Sequence, residues 1–330
     1  MLVYIIRRIL LMISVVFAAV TLTFVLFFLA PNDPAGAICA SPNCSPARIA
    51  EIEKSMGLDR PKVQQYGEYM KGIVAGRDIT SGGFKYRCDA PCLGWSWIQN
   101  QSATDMVKLA FPVTVSIMLG GVVVYSILGL LGGVIAARNR GNWLDRLIVA
   151  ISQFVPSIPY YILALLFYLY LMVLHPILPQ SDYTSPFDNP VAWATGLLGV
   201  WFIYGVIQST AYVRYVRALM IDSLSGDFVR TARSKGLSER KVVINHALRA
   251  TMAPFLTLVG LNIAADLSGA VFTESIFGLN GMGRLAIQSF NQSDLQVISA
   301  VVVVGAVVVS LGNLIVDLLY GLVDPRVKLN

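Results

Sequence analysis

The sequence predicts an all-α polytopic membrane protein with six transmembrane helices. Hydrophobic residues make up 56% of the chain and charged residues 13%, whereas soluble domains carry roughly 25% charged residues. The apolar residues are gathered into long blocks, and Lys and Arg collect in the connections on one side of those blocks. A soluble protein of this composition would expose large apolar patches, so a membrane is the simpler solvent.

Six blocks are long enough to cross a bilayer, which takes about 20 apolar residues to cover roughly 30 Å of hydrocarbon. They lie at residues 9–30, 108–136, 147–174, 191–213, 252–273 and 297–322. A cleaved signal peptide is the alternative for the first block. Its apolar run of about 22 residues is longer than the roughly 7–15 residues of a signal-peptide core, which favours a spanning helix.

The positions of Lys and Arg predict that both termini are cytoplasmic. Basic residues cluster near the N-terminus, after the second and fourth blocks, and in the C-terminal tail. The connection at 176–190 has none, and the one at 278–295 has only Arg284. Cytoplasmic loops carry the excess of Lys and Arg, which also explains the net charge of +6. Nothing indicates nucleic-acid binding, because no basic groove with aromatic residues and no binding motif is recognisable.

Residues 31–105 are predicted to form a small helical subdomain outside the cytoplasm. Loops this long are translocated whatever their charge. All four cysteines lie in this segment: Cys39, Cys44, Cys88 and Cys92. On the oxidising side of a membrane disulfides persist, and the local pairs Cys39–Cys44 and Cys88–Cys92 are our first expectation among the three pairings that four cysteines allow. A metal site is the weaker alternative, because no His lies nearby and the spacings are wider than in zinc ribbons.

Within this segment the pattern predicts two helices and a loop. Ser45 and Pro46 are typical of a helix start, and Gly57 of a helix end. A second helix begins near Pro61, with one apolar face that either packs on its neighbours or docks an outside partner. That face consists of Val63, Tyr66, Met70, Ile73 and Val74. Residues 80–95 show no clear period and are predicted to be a loop.

Two spans carry features that affect packing. Pro156 and Pro159 each remove a backbone donor from the third span, so the helix is predicted to bend or loosen there. The second span contains five glycines that permit close helix contact, two of them at GxxxG spacing. These glycines are Gly120, Gly121, Gly129, Gly132 and Gly133.

The polar connection 214–250 is predicted to be a helix, a tight turn and a second helix below the membrane. Residues 227–235 read as the first helix, and Gly236 ends it in a left-handed conformation. Ser238 is the expected N-cap of the next helix. On physical grounds alone, an amphipathic hairpin attracted to anionic lipid is an alternative.

The run DFVRTARSKGLSERKVVINHALRATMAP resembles the coupling-loop motif of binding-protein-dependent ABC permeases, in the version found in dipeptide and oligopeptide importers. In that pattern an E-A-A triplet precedes a glycine by three residues, and I-x-L-P follows nine residues later. Gly236 is the glycine, and Arg230, Thr231 and Ala232 occupy the triplet. His246 and Leu248 fill the I and L places, and Arg249 stands in place of the proline.

The resemblance covers most of the chain. RIAEIEKSMGLDRPKVQQYGEYMKGIVAGRD is similar to the outer segment of that branch, ESIFGLNGMGRL resembles its stretch after the fifth span, and DLLYGLVDPRVKLN resembles its ending. The insert around Cys88 and Cys92 departs from the family pattern. This departure affects how the outer segment would meet a partner, and it leaves the resemblance elsewhere intact.

The resemblance implies a type I ABC importer permease fold in a bacterial inner membrane. Residues 1–30 would be the first transmembrane helix, 31–105 the extracytoplasmic subdomain, and 106–330 a five-helix core with the coupling segment 214–250. The implied partners are a second homologous permease, two cytoplasmic ATPase subunits, an extracytoplasmic peptide-binding protein and membrane lipid. ATP and Mg²⁺ would be bound by the ATPases, and this chain itself would hold no cofactor or metal.

The resemblance also implies which residues couple the permease to the ATPases. They are Asp227, Arg230, Ala232, Gly236, Leu237, Ser238, Glu239, His246 and Leu248. Relatives in this family also carry metal chelates, opines or haem. The external binding protein is expected to make most of the selection.

Carboxylates inside apolar blocks are costly and usually face a cavity or a partner. Asp266 lies within the fifth block, and Glu274 lies near its outer end. Asp266 has two possible roles: a pathway contact for the amino terminus of a peptide, or a polar pairing between helices with Asn262 or Ser268. Glu274 either has a structural role at the outer mouth of the pathway, which is favoured, or contacts the cargo in the pathway. Asn262 is the third pathway candidate.

Enzymatic functions find no support in the sequence. There is no G-x-x-x-x-G-K-[ST] loop, no H-E-x-x-H and no G-x-S-x-G. The two histidines, His175 and His246, fall on opposite sides of the predicted membrane. The glycines at 278–283 follow a span and lack the strand and helix of a dinucleotide site. A stand-alone secondary transporter or membrane scaffold is the alternative function, although no internal repeat supports a secondary transporter.

Overall fold

A computed structural model describes residues 2–25, 57–81 and 84–323, with isolated positions at 45, 47, 49–50 and 53–54. Its helices are α1 (Leu2–Phe24), α2 (Lys62–Ala75), α3 (Ala103–Arg138), α4 (Trp143–Phe154), α5 (Tyr160–Tyr168), α6 (Pro190–Ser225), α7 (Asp227–Ser234), α8 (Glu239–Lys241), α9 (Arg249–Gly269), α10 (Val271–Phe277), α11 (Met282–Asn291) and α12 (Leu295–Val323). Short strands are β1 (Arg77–Ser81), β2 (Phe84–Cys88), β3 (Trp95–Ser96) and β4 (Gln101–Ser102). The predicted all-α class is confirmed.

Five helical stretches in the described part of the chain are long and apolar enough to cross a membrane. They are Ile5–Phe24, Ala103–Arg138, Pro190–Ser225, Glu239–Ile263 and Leu295–Ile315. The pair Trp143–Ser157 and Tyr160–Leu174, bent by 96°, supplies a sixth if it is one span. The bend lies at Pro156 and Pro159, as predicted, because neither proline can donate a backbone hydrogen bond.

The chain divides into two compact units. One contains Met1–Ile5, Val115–Leu279 and Gly312–Asn330, and the other contains Ile6–Thr114 and Asn280–Leu311. These boundaries follow contacts between distant segments, and they differ from the three-part division by topology given above.

The core of the second unit joins α1, α2, the start of α3, α11 and α12. Tyr66, Met70 and Ile73 of α2 pack on this core, and the hydroxyl groups of Thr21 and Tyr66 lie 2.8 Å apart. Most of the predicted apolar face therefore packs internally. Val63 and Val74 are 85% and 77% exposed, so including them in that face was wrong: at helical spacing both lie at the same edge of the packed stripe, on the side away from the buried Tyr69.

The predicted loop at 80–95 is wrong in its first part, where β1 and β2 form an antiparallel hairpin with Arg77 opposite Cys88. Strands of five residues show too little alternation to be recognised alone, and their hydrogen bonds come from each other. A disulfide joins Cys88 to Cys92, and both side chains are buried beside Trp95. Cys39 and Cys44 lie outside the described residues.

In the first unit the glycines of α3 receive large side chains of α6. A Cβ added to Gly120 would lie 2.1 Å from the Trp201 ring, and one added to Gly121 would lie 2.4 Å from the Tyr204 ring. In the other direction, a Cβ on Gly205 of α6 would lie 2.3 Å from Val124. The predicted close contact is therefore present, and glycine is required because the facing side chains occupy the space of a Cβ.

Candidate functional site

The polar connection forms a compact structure, here called the coupling elbow and defined as residues 227–248. Its first helix, α7, buries Val229 and Ala232 in a core that also contains Val242, Val243 and Ala247. A short α8 and the π-helical segment Val242–Leu248 then run directly into α9. Because α7 and the π-helical segment share one core, the elbow is a packed unit rather than two independent surface helices.

Gly236 forms the turn of the elbow in the predicted left-handed conformation, with φ of +76°. Its N–H donates to the Arg233 carbonyl at 2.9 Å, and the N–H of Leu237 donates to the Ala232 carbonyl at 3.3 Å. These two bonds are the Schellman motif, which satisfies the last carbonyls of a helix. A Cβ on Gly236 would have no atom within 4 Å. Glycine is therefore required by the backbone conformation, and the space around it is open to another protein.

Ser238 stands at the N-cap position of the second helix, but the prediction that its side chain caps that helix is wrong. Its backbone is extended, with φ of −63° and ψ of 145°, but the hydroxyl makes no capping hydrogen bond. The neighbouring residue closes the turn instead. Arg233 donates from Nε to Oε1 of Glu239 at 2.7 Å, and from Nη2 to Oε2 at 3.3 Å. Both partners are exposed, so this pair orients the turn more than it stabilises it.

The nine predicted coupling residues differ in how exposed they are. Five are exposed on the elbow: Asp227, Arg230, Gly236, Ser238 and Glu239. Ala232 is buried, and Leu237 and Leu248 are half-buried against the same internal core. His246 is half-buried in the π-helical segment. The exposed residues are available to a partner, whereas Ala232, Leu237 and Leu248 hold the elbow together.

The elbow is attached closely to two spans. Gly226 is the single residue between α6 and α7, and the helical path from Glu239 to Gly269 is unbroken. On α6, Val216 and Met220 are fully buried in the core that contains Val229 of α7. A displacement of the elbow must therefore move the adjacent ends of α6 and α9.

Asp266 lies in a cluster of polar side chains contributed by α3, α6 and α9. Its Oδ2 accepts a hydrogen bond from the Tyr125 hydroxyl at 3.1 Å, and its Oδ1 accepts one from Gln208 Nε2 at 3.3 Å. Asn262 donates to the Tyr212 hydroxyl at 2.9 Å, and the rings of Tyr125 and Tyr212 stack at 4.6 Å. The partners of the carboxylate are thus neutral donors, and Asp266 is only 8% exposed.

The partners of Asp266 differ from those expected. Asn262 bonds to Tyr212 rather than to Asp266, and the side chain of Ser268 lies outside the described residues. Tyr125 and Gln208 were missed, although a glutamine inside an apolar block is a signal that sequence reasoning could have used. Their distance along the chain from Asp266 conceals the pairing.

Glu274 lies in α10 and is fully buried, with no exposed surface. Its backbone carbonyl accepts the N–H of Leu279 at 2.9 Å, across Gly278, whose φ is +72°. The neighbouring Thr273 hydroxyl lies 2.7 Å from that of Tyr160. Glu274 therefore belongs to a packed helix end, and it faces no open space in this conformation.

Comparison with known proteins decides the family. The family described as binding-protein-dependent transport system inner membrane component matches residues 129–329, and its N-terminal counterpart matches residues 1–118. The chain belongs to this family. As a member of the family, it is a multi-pass membrane protein and a transport permease rather than a catalytic subunit.

Three peptide transport permeases are similar to this chain over nearly their whole length. The dipeptide transport system permease protein of Bacillus subtilis is 32% identical over 327 residues, covering 99% of this chain and 98% of its own. The di/tripeptide transport system permease protein of Pseudomonas aeruginosa is 32% identical over 351 residues, covering 99% of each chain. The dipeptide transport system permease protein of Lactococcus lactis is 32% identical over 329 residues, again with 99% coverage of each.

Proposed function

We propose that this permease is one transmembrane subunit of an ATP-driven importer of dipeptides and oligopeptides. The observation that carries the proposal is its end-to-end similarity to three permeases of dipeptide or tripeptide transport. The coupling elbow supplies the physical basis, because it offers an exposed turn attached without flexible linkers to two spans. Such an element transmits a displacement that a loose loop would absorb.

The exposed group of the elbow is the proposed contact for a cytoplasmic ATPase. Asp227, Arg230 and Glu239 are exposed charged residues of the elbow, and the space beside Gly236 is open. When two ATPases close on ATP, the push on the elbow turns α6 and α9 and exchanges inward-facing for outward-facing packing. ATP binding favours one of the two packings only through contacts that differ between them. ATP and Mg²⁺ are bound by the ATPases in this proposal.

The remaining partners follow from the architecture of such importers. A second homologous permease completes the pathway, and an external peptide-binding protein delivers the cargo. The excess of Lys and Arg at both termini and in the elbow supports a cytoplasmic location for all three. The outer segment with the Cys88–Cys92 disulfide lies on the opposite, oxidising side.

Asp266 is the proposed contact for the amino terminus of a peptide. Burial of a carboxylate among neutral donors leaves its charge uncompensated, so a cationic ligand is favoured beside it. Asn262 orients the neighbouring Tyr212, and Glu274 supports α10. In the conformation described the cluster is closed, and the proposal requires that the turning of α6 and α9 exposes it.

Copurification and uptake test this function. A tag on this chain should bring down two ATPases and a second permease from detergent-solubilised membranes. Deletion of the chain should abolish ATP-dependent uptake of a radiolabelled dipeptide, and re-expression should restore it. Uptake that persists without ATP or without associated ATPases would instead support a stand-alone transporter and contradict the proposal.

A further inference from the structure

Two arginines of α6, three residues apart, bind the bent pair formed by α4 and α5. Arg217 makes a two-pronged ion pair with Asp145, with Nε 2.6 Å from Oδ1 and Nη2 2.7 Å from Oδ2. Oδ2 also accepts the N–H of Gly141 at 2.9 Å. Asp145 is 3% exposed, so its charge is held at the first turn of α4 by the guanidinium of α6.

The second arginine acts at the break itself. Arg214 donates from Nη1 to the carbonyl of Ser152. Pro156 stands four residues after Ser152, and a proline has no N–H to give to the carbonyl of residue i−4. The Ser152 carbonyl therefore lacks its helical donor, and Arg214 replaces it. The bend is thus completed by a side chain from another helix.

The helix that carries both arginines also leads into the coupling elbow. Val216 and Met220, which flank Arg217 on α6, pack in the same core as Val229 and Ala232 of α7. Gly133 of α3 lies against this part of α6, since a Cβ there would stand 2.6 Å from Val216. This end of α6 therefore packs against the elbow, and its two arginines bind it to the bent pair.

We propose that Arg214 and Arg217 are the positioning residues through which a displacement of the coupling elbow reaches the bent pair α4–α5. Arg217 holds the beginning of the pair through Asp145, and Arg214 holds its break through the Ser152 carbonyl. The inference rests on the proposed function, because it requires an ATPase that moves the elbow. It adds a third moving element to α6 and α9, which are attached to the elbow directly.

The test uses the complete transporter in proteoliposomes, with ATP hydrolysis and uptake of a radiolabelled dipeptide measured on the same samples. Arg217→Gln should lower the peptide imported per ATP hydrolysed by about tenfold or more, because it leaves the buried carboxylate of Asp145 without its cation, while hydrolysis continues. Arg214→Gln removes only a donor to the Ser152 carbonyl and should lower the same ratio by less. Arg146→Gln is the matched control, because Arg146 is an exposed arginine beside Asp145 on α4, and it should leave the ratio unchanged.

Two further variants distinguish arginines that transmit the displacement from arginines that only stabilise the fold. The exchange Asp145→Arg with Arg217→Asp should recover part of the lost ratio. Pro156→Ala returns a backbone donor to the Ser152 carbonyl, so Arg214→Gln should cost less in that background than in the natural one. Arg217→Lys keeps the charge with fewer bonds and serves if Arg217→Gln fails to assemble.

Three outcomes overturn the inference. One is an unchanged import ratio in assembled Arg214→Gln and Arg217→Gln transporters. Another is a loss of assembled protein at a constant ratio, which would make the arginines structural braces only. The third is an unmodified transporter without ATP-driven uptake, which is recognised separately because it contradicts the proposed function itself and the inference with it.

Discussion

Tyr212 lies so close to the backbone of Gly129 that a Cβ on the glycine would stand 2.4 Å from the Tyr212 Cβ. The ring of Tyr212 stacks on Tyr125, and its hydroxyl accepts the hydrogen bond from Asn262. The helix contact made possible by one glycine thereby positions two residues of the polar cluster at Asp266. Packing of α3 on α6 and the intramembrane polar cluster are one structural system.

Gly129→Val is expected to destabilise the protein, because the clash falls on a Cβ that cannot rotate away. Overpacking of this kind lowers the free energy of unfolding by about 1–3 kcal/mol. Thermal unfolding in detergent, followed by circular dichroism, measures the change. Gly305→Val is the matched control, since a Cβ on Gly305 meets no atom within 4 Å. Equal shifts of the midpoint in the two variants would contradict the packing argument.

Gly236→Trp should abolish ATP-driven uptake while leaving membrane insertion intact. A residue with a side chain in the left-handed conformation costs roughly 1–2 kcal/mol, and the indole would fill the open space at the proposed ATPase contact. Gly236→Asn is the matched variant, because asparagine tolerates this conformation and is small, so it should keep most of the uptake. The measurements are dipeptide uptake and the amount of protein in the membrane. Normal uptake by Gly236→Trp would refute the role of the turn.

Asp266→Asn should reduce uptake of peptides with a free amino terminus and spare any uptake of N-acetylated ones. The amide retains an oxygen for the Tyr125 hydroxyl but loses the negative charge that attracts an ammonium group. Competition assays with matched free and acetylated dipeptides measure the difference. Tyr125→Phe serves as the control, since it removes a hydrogen bond to Asp266 and keeps the charge. Unchanged uptake of every peptide by Asp266→Asn would remove this residue from the pathway.

The stability of the second unit should depend on pH through Asp294, which lies directly before α12. Burial raises the pKa of Asp294, although hydrogen bonds from Ser96 and from the backbone N–H of Val297 act in the opposite direction. The folded state therefore holds the proton more tightly than the unfolded one. The resulting stabilisation is present below the unfolded pKa of about 3.9 and is lost as pH rises through the folded pKa.

Asp294→Asn removes this titration. The unfolding midpoint of the variant, relative to that of the natural protein, should rise as pH increases above about 4. Thermal unfolding of both proteins at a series of pH values gives the comparison, and taking the difference cancels the other carboxylates. A difference that stays constant with pH would show that Asp294 has the same pKa in the folded and unfolded states.

Much of this protein follows from its sequence because the causes are local. Apolar length predicts the spans, a proline lacking an N–H predicts the bend at Pro156, and a glycine after a polar helix predicts the left-handed turn at Gly236. Each of these depends on a few neighbouring residues. The hairpin at Arg77–Cys88 was missed for the complementary reason, since its strands are defined only by pairing with each other.

Tertiary structure alone decided which residues meet. Apolar spans show no polar and apolar faces that would identify their neighbours, so the sequence could not place Trp201 on Gly120 or Tyr125 on Asp266. The same holds for Arg214. In the sequence its positive charge indicates only which side of the membrane is cytoplasmic, and the structure shows that it donates to the Ser152 carbonyl. Such contacts join residues dozens of positions apart, and they form because a buried carbonyl or carboxylate must find a donor within the packed helices.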